Sequence, residues 1–259
     1  MSPIKVIVHG ALGKVGREVV KAVSHDPETR LVGAVDIKAS ENTFPVEGLD
    51  AAPLSTNLEK IIDTTKPDVM VDFTLAKAAM PAIRLAAAKG ISMVIGTTGF
   101  TPDEIKEMER LARDSRVGIV LASNFALGAV LMMHMAKIAA KYFDYAEIIE
   151  LHHHLKADAP SGTSLSTARG MAKSRGKPFM VPPGQDRGSN VEGITIHSVR
   201  LPGLMAHQEV LFGTAGQTLS IRHDTINREC YMPGVMLAVK EVSRRKGLIQ
   251  GLDVLLELK

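Results

Sequence analysis

Three glycines spaced three apart, Gly10, Gly13 and Gly16, follow directly on a run over 4–8 in which only Lys5 is polar. A strand apolar on both faces reads as a buried member of a parallel sheet. Residues 16–25 then carry a helical pattern, and LVGAVD at 31–36 returns as a second strand. The unit is βαβ. Glycines alone would make only a tight turn, but a strand before and a helix after give them a further use: backbone can approach a pyrophosphate closely, and the helix start offers unpaired N–H groups. Asp36 ends the second strand twenty residues after Gly16, where an acid meets ribose hydroxyls. The expectation is a nicotinamide dinucleotide site. Asp36 favours NADH by repelling a 2′-phosphate, whereas Lys38 would attract one, so NADH or NADPH is expected.

The alternation continues with strands at 69–73, 91–96 and 117–122. Between them lie helices at 75–89 and 102–115, the latter capped by Thr101 with Pro102 in first position. The expected fold is α/β, a Rossmann-like doubly wound parallel sheet. Loops GTTGF at 96–100 and ASNFALG at 122–128 should lie at the carboxyl ends of its strands, where ligands bind. After Asn124 the pattern changes. A helix at 128–142 leads into a strand reading of YAEIIELHHH and a helix at 163–175. GITIHSVRL, HQEVLFGT and QTLSIRHD then look like successive antiparallel strands. A closing helix at 233–246 and a strand over DVLLEL complete the chain. We expect a dinucleotide-binding domain over 1–125 and 229–259, and an α+β domain with a mixed sheet over 126–228 for substrate binding and oligomerisation. Segments near 125 and 228 would serve as hinges.

Composition excludes several classes of function. Hydrophobic residues make up 45% and charged residues 23%, as in ordinary globular chains. The single cysteine, Cys230, forbids an intrachain disulfide and points to a reducing compartment. Basic and acidic residues are mixed and the net charge is +3, so no nucleic-acid face is evident. The start of the chain lacks a signal-peptide pattern, and charged residues interrupt every apolar run, so no membrane span and a cytoplasmic location are expected.

The most polar stretch is ELHHHLKADAPSGTS at 150–164. If the strand continued, His152, His154 and Lys156 would share one face and His153 the other, unless a bend after Leu155 redirected Lys156. Successive histidines on opposite faces, with no cysteine or glutamate cluster beside them, argue against a metal site. Gly162 and Thr163 open a helix whose amides suit a carboxylate. Histidine and lysine beside such a helix end point to proton transfer on an anionic substrate. Two rival readings are a dehydrogenase of homoserine or aspartate semialdehyde, which would share the first 36 residues, and a non-catalytic sensor of NAD.

The pattern E-x-H-H-x-x-K-x-D-A-P-S-G-T, together with the glycine turn, GTTGF and ASNF, resembles the dihydrodipicolinate reductase family of lysine and diaminopimelate biosynthesis from residue 4 to residue 258. HSVRLPGLMAHQEVLFG, SIRHDTINR and YMPGVMLAV are similar to one branch of it. The resemblance implies an NAD(P)H-dependent oxidoreductase that reduces 4-hydroxy-tetrahydrodipicolinate with loss of water and assembles as a homotetramer. It makes His152 the proton donor and Lys156 a second donor and substrate cation. His153, Gly162 and Thr163 would hold the carboxylates of a small dicarboxylate. The cofactor would rest on Gly10, Ala11, Leu12, Gly13, Lys14, Val15 and Asp36, with Gly96, Thr97, Thr98, Ala122, Ser123, Asn124 and Phe125 at its nicotinamide end. No metal is implied, and His154 has no assigned role. Val15 replaces a frequent Met and Ser164 a frequent Ala, and 202–208 departs from the family's commoner loop.

Overall fold

The computed structural model describes residues 2–46, 51–184 and 187–258. Contacts divide the chain into two units, Met1–Phe125 with Tyr231–Lys259, and Ala126–Cys230.

The first unit is built on an eight-stranded sheet in the order β13-β7-β6-β5-β1-β2-β4-β3. Its strands are β1 (Ile4–His9), β2 (Thr29–Val35), β3 (Thr43–Phe44), β4 (Ala52–Ser55), β5 (Val69–Asp72), β6 (Ser92–Ile95), β7 (Gly118–Leu121) and β13 (Gly247–Gln250). All pairings are parallel except β3 with β4. The strand order runs one way from β1 to β2 and the other way from β1 to β5, so the connections diverge at the carboxyl ends of β1 and β5. That is where ligands of such sheets bind. Helix α1 (Lys14–His25) buries Gly16, Val19, Val20 and Val23, one stripe at helical spacing. Helix α4 (Pro102–Asp114) starts with a capping box between Thr101 and Glu104, and Pro102 stands at its first turn as expected.

Three features of this unit differ from the sequence reading. Strands β3 and β4 and helix α2 (Leu58–Thr65) extend the sheet beyond β2; Asn57, whose side chain accepts from Lys60 N at 3.0 Å, was the available signal for α2. DVLLEL is not a strand: Leu252–Leu255 is a short helix, α8, and the edge strand is the preceding β13. Gly251, at φ +94°, separates the two, and a short apolar run cannot by its pattern alone distinguish helix from strand. The closing helix, α7 (Met232–Val242), stops before 246 because Gly247 must turn the chain, at φ +90°, to enter β13.

The second unit has a five-stranded sheet in the order β12-β11-β8-β10-β9. These are β8 (Tyr145–His152), β9 (Ser189–Val191), β10 (Ile194–Arg200), β11 (Ala206–Thr214) and β12 (Gln217–Thr225). The three later strands are not one antiparallel run. β8 lies between β10 and β11, parallel to the first and antiparallel to the second. The loop after β10 passes the end of β8, where Leu201 N donates to His152 O at 3.1 Å. Helices α5 (Leu127–Ala139) and α6 (Gly162–Arg175) cover one face, enclosing Ile148, Met171, Ile196, Val210 and Phe212. Among the described residues no helix is long and apolar enough to cross a membrane.

Candidate active site

At the end of β1 the chain turns through Gly10, at φ +84°. A Cβ there would lie 2.9 Å from Phe73 O, and one on Gly16 would strike the Gly10 carbonyl. The glycines are therefore steric requirements, and they leave bare backbone at the mouth of the turn. Gly13 is the N-cap of α1, with no side-chain cap and no acid in the first turn, so the amides there are suited to phosphate. Asp36 follows β2 and is 9% exposed; its Oδ2 accepts from Leu12 N and its Oδ1 from Lys38 N, each at 2.9 Å. The acid thus sets the shape of the glycine turn as well as standing where ribose hydroxyls would be read. Lys38 is exposed.

The other expected cofactor residues follow β6 and β7. Gly96 packs against the Phe73 ring, which itself lies 5.7 Å from the ring of Phe125. Ala122 and Phe125 are buried, while Thr98 and Ser123 are exposed. Thr97 turns its side chain inward, donating to Asp72 Oδ1 at 2.6 Å and accepting from Thr74 N at 2.8 Å, so only its backbone is left for a ligand. Sequence reasoning missed the centre of this cluster. Asp72 has no exposed surface; its Oδ2 lies 2.6 Å from His9 Nδ1, and its Oδ1 also accepts from the Thr74 hydroxyl at 2.9 Å. An acid closing an otherwise apolar buried strand was the signal.

In the second unit, β8 alternates so that Ala146, Ile148 and Glu150 face the helices. His152 follows with the same parity. The strand ends there: His153 leaves it and Lys156 N donates back to His153 O at 3.1 Å, closing a turn. The expected alternation over His152 to Lys156 therefore does not occur. Lys156 Nζ reaches both oxygens of Asp158, at 2.7 and 2.9 Å, and this bond is the largest cause holding the Asp158 carboxyl below its usual range. Burial, then the positive groups His152, Lys156, His154 and Arg228, push the His153 pKa down. Such a gathering of like charge is relieved by a bound anion. Among the described residues, no group of three or more His, Cys, Asp or Glu side chains is arranged to hold a metal ion.

Helix α6 begins at Gly162 behind the cap Ser161, whose side chain accepts from Ser164 N at 3.2 Å. Its start is tied to β11 through buried polar groups: Ser164 Oγ donates to Gln208 Oε1 at 2.9 Å, and Gln208 Nε2 to Thr167 Oγ1 at 2.8 Å. Ser164 and Gln208, both in segments that depart from the commoner family pattern, are thus partners. Glu150, fully buried, stands in register between Gln208 of β11 and Ser198 of β10. Its Oε2 lies 2.5 Å from His152 Nδ1, and its Oε1 accepts from Arg200 at 2.7 Å. Arg200 also donates to Asp158 O at 2.6 Å. Sequence reasoning passed over Glu150 and Arg200, although a glutamate at a core position of an alternating strand marks a compensated buried charge.

Family models described as dihydrodipicolinate reductase, N-terminus and C-terminus, match residues 4–125 and 128–256. The chain belongs to the dihydrodipicolinate reductase family. It is 55% identical over 263 residues to the 4-hydroxy-tetrahydrodipicolinate reductase of Dehalococcoides mccartyi, with 100% of both chains covered. The enzyme of that name from Moorella thermoacetica is 46% identical, with 99% of each chain covered. The dipicolinate-bound dihydrodipicolinate reductase of Paenisporosarcina sp. TG-14 superposes with a TM-score of 0.87 at 40% identity, over 97% of this chain and 99% of that one. An amine dehydrogenase of Mycobacterium smegmatis, at 13% identity and a TM-score of 0.66, shares the fold. Membership in the dihydrodipicolinate reductase family makes the chain an oxidoreductase with a pyridine-nucleotide domain.

Burial raises the Glu150 pKa, but His152, Ser198 and Arg200 outweigh it and bring the carboxyl down to about 2. In the unfolded chain a glutamate titrates near ~4.3, so on acidification the unfolded state binds the proton first. The stabilisation from Glu150 is present above that value and is lost as pH falls towards about 2. Urea unfolding at a series of acid pH values should show a shallower loss of stability in Glu150→Gln than in the native chain.

Proposed function

We propose that the chain reduces 4-hydroxy-tetrahydrodipicolinate to tetrahydrodipicolinate, with loss of water, in diaminopimelate and lysine biosynthesis, using NADH or NADPH. The observation that carries this reading is the group His152, His153, Lys156 and Arg228 in the unit that also holds the Gly162 and Thr163 amides at the start of α6, in a chain 55% identical throughout to a reductase of that name. A dianionic substrate needs both kinds of group. We assign the dinucleotide to the first unit, on Gly10 to Val15 and Asp36, with Gly96 to Thr98 and Ala122 to Phe125 at its nicotinamide end. The substrate is assigned to the second unit.

The bound dinucleotide supplies a hydride. The residues of the chain bind, orient and protonate. Lys156, His153 and the Gly162 and Thr163 amides hold the carboxylates, and in doing so Lys156 exchanges Asp158 for the substrate. Electron density built up on the conjugated imine is quenched by a proton from His152. His152→Ala and Lys156→Ala should each lower kcat roughly 10²–10⁴-fold, the range typical of a general acid, while NADH binding by fluorescence titration is retained. Native turnover in either variant removes that residue from the chemistry.

For the cofactor, the Asp36 carboxylate accepts NADH while the exposed Lys38 ammonium offers a partner to a 2′-phosphate. Lys38→Ala should raise KM for NADPH about fivefold and leave NADH nearly unaffected, the scale of one exposed ion pair. Equal effects on both cofactors would refute this role. For assembly, the sheet face of the second unit away from α5 and α6 presents half-buried Ile149, Leu151, Val199 and Leu211 beside the pairs Arg222–Glu209 and His197–Glu147. We assign this face to a homotetramer. Sedimentation at assay concentration should give four chains per particle, and a monomer there would oppose it.

A further inference from the structure

Glu150 touches no position assigned to substrate or cofactor except through His152, yet it holds two elements at once. It is fully buried, with Gln208 opposite it on β11 and Ser198 opposite it on β10. One oxygen lies 2.5 Å from His152 Nδ1, an ion-pair contact in which neither buried atom has a hydrogen-bond partner elsewhere, and the other accepts from Arg200 at 2.7 Å. Arg200 in turn donates to the carbonyl of Asp158, the residue that grips Lys156. A single carboxylate therefore links the assigned proton donor to the loop carrying the assigned substrate cation.

We propose that Glu150 is a positioning residue that keeps the His152 ring turned with Nδ1 inward and Nε2 outward, so that Nε2 is the atom that delivers the proton. An imidazole nitrogen facing a carboxylate carries the hydrogen, which fixes the tautomer of the neutral ring. In the acid form both nitrogens are protonated. When the Nε2–H bond breaks, the proton passes to the reduced substrate and the electron pair stays on Nε2. The neutral ring left behind keeps its proton on Nδ1 against Glu150, so no rotation or proton shift is needed before solvent recharges Nε2. A ring without this acceptor divides between two tautomers and several orientations. The proposal rests on the reading of His152 as proton donor.

The test is made on the full-length chain, with Glu150→Met to remove the acceptor at similar volume. Glu150→Met/Arg200→Met also removes the arginine that the single change would leave buried and unpaired, a substitution pattern that cores commonly tolerate. Nitrogen-15 spectra of histidine-labelled protein at alkaline pH, with the His152 signals assigned by their loss in His152→Asn, should show the native proton on Nδ1 and a mixture of tautomers in both variants. Steady-state kinetics should show kcat reduced on the order of 10²-fold in the folded variants, with KM and the NADH dissociation constant changed by less than about threefold. A native ring protonated on Nε2 overturns the proposal, as does native kcat in either folded variant. If the native chain fails to reduce the hydroxylated dicarboxylate, the functional reading falls by itself, and the nitrogen spectra still decide whether Glu150 sets the ring.

Discussion

A carboxylate with no exposed surface is tolerated only when opposite charge and hydrogen bonds replace the water it has lost. Each unit of this protein is organised round one. In the first, Asp72 at the end of β5 gathers His9 from β1, Thr97 from the loop after β6 and Thr74 from its own loop. In the second, Glu150 near the end of β8 gathers His152 and Arg200. Breaking either set would strand a charge in the interior, so the loops that follow these strands are held by interactions that are costly to lose. The net stability of such a buried pair is modest against a well-packed apolar substitute, but it specifies one arrangement among many.

The two centres do different work. Asp72 fixes backbone: its partners set the loops at the carboxyl edge of the sheet, where the glycine turn and the Gly96 loop leave peptide groups bare. Glu150 fixes side chains that carry charge. The helix start at Gly162 is secured by a third device, the uncharged chain of Ser164, Gln208 and Thr167, which seats the amides without neutralising them. A charged anchor there would compete with an incoming carboxylate for the helix dipole. Asp158, by contrast, pairs with Lys156 at the surface and is exposed.

Much of the cofactor half was legible because its signals are local. The strand before Gly10, the helix after Gly13 and the Thr101 cap each depend on neighbours within a turn or two, and Asp36 follows from the length of one βαβ unit. In the β-rich half the same reasoning found β10, β11 and β12 and paired the last two correctly, but it set β10 beside β11. The segments before and after residue 203 look like a hairpin, yet β8 lies between them, because strand pairing is decided by which faces can be buried together against α5 and α6. DVLLEL shows the same limit at smaller scale.

The sequence by itself determined the glycine turn, the βαβ alternation, the basic run from His152 to Lys156 and, through its ordered blocks, the family. It did so because steric exclusion at a turn and hydrophobic periodicity act between residues close in the chain. Only the tertiary structure decided that His9 meets Asp72, that Ser164 meets Gln208, and that Glu150 reaches Arg200 some 50 residues away. Those contacts depend on sheet register, and a slip of one residue would turn Glu150, Arg200 or Gln208 to the opposite face of its sheet. Register is set by burial across the whole sheet, and no single segment contains it.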